Sequence, residues 1–160
     1  DRLRGLIEAA REEGELVVEG ASLGGEYERG AFLTPSLFRM HDTKSSLIQQ
    51  EQFGPLVSIE RFADELEAVE KANATVFGLS ASVWTQDISQ AMRVGRSLRM
   101  GTVWINDHGK LLPEAETGGF GESGLGRLHG IEALSDFLET KHYYLSAGAQ
   151  LQNTRALEGE

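Results

Sequence analysis

The sequence has 160 residues, 40% hydrophobic and 8% aromatic, with 15 Lys+Arg against 25 Asp+Glu and a formal charge of -10. That acidic excess repels a phosphate backbone, and with no basic stripe interleaved with aromatics it argues against nucleic-acid binding. The complete absence of cysteine excludes disulfides, thiolate metal sites and a cysteine nucleophile within these residues.

Leu3, Leu6, Ile7 and Ala10 recur at helical spacing, which predicts a helix over residues 1–13 that stops at Gly14. Glu15–Glu19 reads as a strand, followed by a turn-rich stretch through Gly24 and Gly25. A second strand is expected over Ala31–Phe38, and Pro35 within it points to an edge or irregular position. Leu56–Phe62 alternates as a strand, and Asp64 is placed to cap a helix running to Asn73. Leu79–Trp84 is the next strand, Asp87 caps a helix to Arg99, and Gly101 leads into a strand over Thr102–Asn106.

Strands and helices alternating over short connections predict an α/β fold, a mostly parallel open sheet with flanking helices. The apolar fraction suffices for one compact domain with its own core. Residues 107–127 form a long glycine-rich irregular segment, of a length that is functional or disordered in compact domains. A helix over Ile131–Thr140 is expected next, with Ile131, Leu134, Phe137 and Leu138 as a core-facing stripe. His142–Leu145 reads as an exposed strand whose edge, bearing Tyr143 and Tyr144, needs covering. The last dozen residues are polar and expected to fray.

The four histidines, His41, His108, His129 and His142, are never spaced as zinc ligands, so no metal site is expected. No run approaches the roughly 18 apolar residues that span a bilayer, and the first residues show no charged-then-apolar segment of the kind that marks secretion, so no leader is expected. These features predict a cytoplasmic protein that does not enter a membrane. The first residue is Asp1, so polypeptide upstream of it is expected.

Four motifs in order carry a family resemblance. Glu51-Gln52-Phe53-Gly54-Pro55 resembles the Glu-x-Phe-Gly-Pro motif of the NAD(P)-dependent aldehyde dehydrogenases. Ala72-Asn73-Ala74-Thr75-Val76-Phe77-Gly78-Leu79-Ser80-Ala81, Gly101-Thr102-Val103-Trp104-Ile105-Asn106 and the glycine-rich turn Gly118 to Arg127 are similar to three later segments of the same family. The likeness covers nearly the whole chain and fades after about residue 146.

The resemblance implies the C-terminal part of such an enzyme: residues 1–127 a portion of the catalytic domain, 128–147 a helix and oligomerisation strand, 148–160 a polar tail. The parent reaction is oxidation of an aldehyde to a carboxylic acid, with NAD or NADP as hydride acceptor. It uses a cysteine thiolate, a glutamate and a dinucleotide-binding domain, all expected upstream of residue 1. This segment is therefore expected to be inactive alone, to need the missing cofactor-binding domain, and to assemble as a homodimer or homotetramer.

The resemblance also assigns residues. Glu51 would accept hydrogen bonds from the two hydroxyls of the nicotinamide-side ribose, a task that suits a carboxylate with two acceptor oxygens. Phe53 would lie against the nicotinamide ring. Asp107, Leu111 and Thr117 would line the aldehyde tunnel, bound to a small-molecule aldehyde. Many family members carry Pro and an aromatic before the double glycine, where this chain has Glu116-Thr117. With Asp107 and Glu114 nearby, that departure implies an acidic mouth suited to a polar or cationic aldehyde such as an aminoaldehyde or betaine aldehyde.

Two look-alikes fail on context. Gly119 to Gly124 satisfies Gly-x-Gly-x-x-Gly, but neither a hydrophobic strand before it nor a helix after it is expected. Gly121-x-Ser123-Gly124 lacks the last glycine of a nucleophile elbow. Ser123 and Arg127 are instead expected to stitch the turn to the following helix. The rival reading is a non-catalytic assembly or regulatory module that keeps the fold without the active site.

Overall fold

The computed structural model describes residues 2–145; the polar tail over 148–160 lies outside the described residues. Helix α1 (Arg2–Glu13) forms as its spacing predicts, with Ile7 and Ala10 buried and Leu3 and Leu6 packed beside them. Gly14 ends it and opens β1 (Gly14–Val18). β1 pairs antiparallel with β2 (Ser36–Met40), and β2 pairs parallel with β3 (Leu56–Ile59), in the order β1-β2-β3.

β2 is thus the middle strand, where an edge or irregular position was expected. The strand begins one residue after Pro35, so the missing N–H of proline falls outside the ladder and removes no bond from it. Ser36, Phe38 and Met40 alternate as the buried residues of β2, and Phe38 and Met40 meet α1. Leu47 of the short helix α2 (Ser46–Gln49) and Leu56 of β3 complete this cluster. Full burial of Phe38 contributes on the order of 2–3 kcal/mol.

The second half is built on α3 (Glu65–Ala72), β4 (Phe77–Gly78), β5 (Ser80–Val83), α4 (Ile88–Ser97), β6 (Thr102–Ile105) and β7 (Phe120–Gly121). Both anticipated caps are in place. The Asp64 carboxylate accepts from the Glu67 N–H at 2.9 Å, and that of Asp87 from the Ser89 and Gln90 N–H groups at 2.8 and 3.2 Å. β5, α4 and β6 form a β-α-β unit with parallel strands, while β4 and β7 pair antiparallel. The class is α/β as expected, with parallel pairing at β2–β3 and β5–β6 and antiparallel pairing at β1–β2 and β4–β7. Asn73 ties the ends of α3 and α4 together, donating to the Ser97 carbonyl and accepting from the Arg99 N–H.

Two expectations about packing are corrected. The chain exposes 12864 Å², against roughly 7900 Å² for a compact monomer of this mass. Among the described residues the core is one small cluster around β2, and the second half contributes Ala91 as its buried hydrophobic residue. The helix expected over Ile131–Thr140 is a 3-10 helix over Glu132–Phe137 with no buried residue. Its apolar stripe lies open, Phe137 being 85% exposed. A stripe without a facing surface gains nothing from burial, and that burial is what stabilises most short α-helices. Residues 142–145 are exposed and form no strand within this chain. Among the described residues no helix is long and apolar enough to cross a membrane.

Candidate functional site

The stretch after α2 is held from several sides. Gln50, the residue that caps α2, is extended at φ -112 and turns the chain away from the helix. The Arg2 guanidinium donates to the Gln52 carbonyl. Gly54 lies so close to Leu3 of α1 that an added Cβ would stand 2.6 Å from its Cδ1. The Pro55 carbonyl accepts from the Ser36 N–H at 2.9 Å, which fastens the stretch to the central strand. Between these anchors Phe53 sits at φ +46, a conformation disfavoured for any residue with a Cβ, and its side chain is 86% exposed.

Glu51 is exposed and lines a cavity of about 470 Å³. Thr75, Phe77, Met100, Glu122 and Ser123 line the same cavity. The two halves of the molecule meet here because the Gln49 amide donates to Thr43 O and, at 3.1 Å, to Ala74 O. The far wall is fixed by the β4–β7 pair, by the Glu122 N–H donating to Val76 O, and by the Ser123 hydroxyl accepting from the Gly78 N–H at 2.9 Å. Ser123 therefore stitches its turn to β4 rather than to the helix that follows. Arg127 donates to the carbonyls of Gly119 and Gly126 and closes the turn on itself.

The loop after β6 starts from a tight joint. Asn106, at φ +53, accepts from the Thr85 N–H and donates to the Thr85 carbonyl, both at 2.9 Å. This two-way bond fixes where residues 107–117 leave the β5–β6 pair. Replacing Asn106 by Ala removes both bonds and leaves a residue poorly suited to positive φ, an expected loss of about 2–3 kcal/mol. Asn106→Gly, which tolerates that φ, is expected to lose less. Urea unfolding of the two variants checks the order; equal losses would remove the backbone contribution from the account.

The three expected tunnel residues lie along the loop that leaves β6 and the turn that follows it. Asp107 accepts from the adjacent His108 N–H, Leu111 is half exposed, and the Thr117 hydroxyl lies 3.1 Å from His129 Nδ1. Glu116 is exposed and hydrogen-bonded to backbone. Backbone N–H bonds, its own first and then that of Glu132, hold its carboxyl below the usual carboxylate range. Its Oε1 also accepts from the Ile131 N–H, so Glu116 caps the 3-10 helix.

Comparison with known proteins decides the family. Residues 1–143 match the profile described as the aldehyde dehydrogenase family. The chain belongs to the aldehyde dehydrogenase family. It is 40% identical over 136 residues to the betaine aldehyde dehydrogenase of Bacillus subtilis, covering 80% of this chain and 28% of that protein. Over 114 residues it is 41% identical to a phenylacetaldehyde dehydrogenase of Pseudomonas fluorescens, 71% of this chain and 23% of the relative. A crystal structure of betaine aldehyde dehydrogenase from Staphylococcus aureus in complex with NAD+ superposes with a TM-score of 0.85 at 35% identity, covering 96% of this chain and 31% of that one. The chain thus spans under a third of the length of these aldehyde dehydrogenases.

Within this aldehyde dehydrogenase chain, the look-alike at 119–124 is a tight turn around β7, with no strand leading into a helix. Glu122 and Ser123 are cavity residues that no sequence motif singles out as such. A polar pair inside a glycine turn was the available signal, but which cavity the turn reaches depends on its pairing with β4, over forty residues earlier.

Proposed function

We propose that this segment is part of an NAD(P)-dependent aldehyde dehydrogenase that oxidises an aldehyde to a carboxylic acid. One observation carries the reading: in a single five-residue stretch, a cavity-lining carboxylate stands next to an aromatic held outward at positive φ. Water does not favour an exposed Phe in a disfavoured backbone conformation, whereas a flat ring laid against it would. Glu51 offers two acceptor oxygens to a ribose diol, and Phe53 offers a face to the nicotinamide. The bound dinucleotide supplies the hydride acceptor. Glu51 and Phe53 orient that end of it, and Asn106 sets the exit of the loop bearing Asp107, Leu111 and Thr117, which form one side of the aldehyde's path.

The wide exposed surface supports covering by further polypeptide, with the cofactor-binding domain as the first partner and a second copy against residues 142–145. On this reading 1–127 is catalytic-domain material, 128–147 the assembly element, and the setting is cytoplasmic. A cationic aldehyde is the proposed substrate, because Asp107 and Glu114 remain exposed on the loop and one relative bears the name betaine aldehyde dehydrogenase.

The test is steady-state formation of reduced cofactor by the full-length enzyme with betaine aldehyde and with phenylacetaldehyde. Activity with both and a higher kcat/KM for betaine aldehyde is the expected result. A preference for phenylacetaldehyde overturns the cationic substrate, and no activity with any aldehyde overturns the function.

A further inference from the structure

We infer that Gln52 is a positioning residue for the nicotinamide end of the cofactor, acting through Glu51 and Phe53. The inference rests on the proposed roles of those two residues. The residue between Glu and Phe is unspecified in the motif, so the resemblance assigns it nothing.

The side chain of Gln52 turns the opposite way from its neighbours: Glu51 and Phe53 are exposed, while Gln52 is half-buried. Its Nε2 reaches back to α2 and donates to the carbonyls of Gln50, Ser46 and Leu47 at 2.7, 3.2 and 3.3 Å. The Ser46 carbonyl already accepts from the Gln50 N–H, so the amide adds a second donor there and gives one to the Leu47 carbonyl, which binds the 50–52 stretch to α2. The Oε1 of the same amide is buried with no partner among the described residues. The group is therefore retained for its donors, since an unpaired buried acceptor is unfavourable.

The consequence is mechanical. Main-chain anchors hold residues 52, 54 and 55 through Arg2, Leu3 and Ser36. Among the described residues, Gln52 is the member of 51–53 whose side chain hydrogen-bonds to the body of the protein. It ties the peptide joining Glu51 to Phe53 against α2, so that the ring at φ +46 and the carboxylate beside it keep one mutual geometry. Without the tether, Phe53 can relax toward negative φ, and the two contacts with the cofactor no longer form together.

The experiment uses the full-length enzyme with Gln52→Met, which keeps length and volume but removes both donors, and Gln52→Lys, which restores a donor on a long stem. Glu51→Gln serves as the control on the underlying reading. Gln52→Met is expected to raise KM for NAD about fivefold and to slow the hydride step similarly. KM for the aldehyde and inhibition by AMP, which lacks the nicotinamide end, stay unchanged. Gln52→Lys recovers most of the loss.

An unchanged KM for NAD in Gln52→Met overturns the inference while leaving Glu51 in place if Glu51→Gln is impaired. Equal weakening of AMP and NAD, or a lowered Tm with kinetics intact, means a purely structural role and also overturns it. If Glu51→Gln is unimpaired, the reading beneath it falls, and the inference with it. Should Gln52→Met fail to fold, Gln52→Lys decides: a fivefold rise in KM for NAD despite its donor overturns the tether.

Discussion

Glu51→Gln in the full-length enzyme is expected to slow hydride transfer by about 10- to 100-fold. The carboxylate accepts from two adjacent hydroxyls at once, whereas an amide offers one acceptor oxygen and turns two N–H donors toward the second hydroxyl. Losing a hydrogen bond to a charged group costs about 1.5–3 kcal/mol, which corresponds to that range in rate. The loss belongs mainly in the chemical step, because the nicotinamide is misplaced while the adenosine end keeps its contacts. Single-turnover formation of reduced cofactor at saturating NAD separates the two. Wild-type rates and wild-type cofactor affinity would remove Glu51 from the site.

The second large effect is expected at Gly101, which lies outside the site. A Cβ added there would stand 1.6 Å from the Gly118 carbonyl oxygen and 2.7 Å from its carbonyl carbon. Both are backbone atoms, so no flexible side chain can give way and the crossing of β6 over the 118–123 turn must open. Gly101→Ala is expected to destabilise the protein by about 3 kcal/mol or more. The same opening would move Glu122 and Ser123 relative to Glu51, lowering activity in the fraction that still folds. Gly5 is the opposite case: it lies inside α1 with nothing within 4 Å of the added atom. Gly5→Ala should stabilise by about 0.5–1 kcal/mol through helix propensity alone. Urea unfolding of both variants tests the contrast. A Gly101→Ala protein as stable as the wild type would show that the two segments are not in contact.

Much of this molecule follows from interactions a few residues long. The caps at Asp64 and Asp87 depend on neighbours within one turn, and the helical spacing of α1 and the spans of β5, α4 and β6 follow patterns of a few residues; each forms where its local pattern says. The same holds for the motif around Glu51, whose spacing points to the family and to a carboxylate worth testing. Burial of the stripe Ile131–Leu138 does not follow, because apolar spacing shows which side could be covered but not whether a surface faces it. Nor does the bond by which Glu116 holds the 3-10 helix, since its partner Ile131 lies fifteen residues on.

What the residue order establishes here is local chemistry: caps, apolar periods and a motif whose family is now plain. The three-dimensional arrangement establishes which distant pieces share a cavity. Glu51 meets Ser123 only because Gln49 reaches Ala74 and Ser123 accepts from Gly78, contacts 25 and 45 residues apart in the chain. Long-range pairs of this kind carry a loop-closure penalty that no local pattern encodes. They form when many of them close together, and so they become visible in the folded chain.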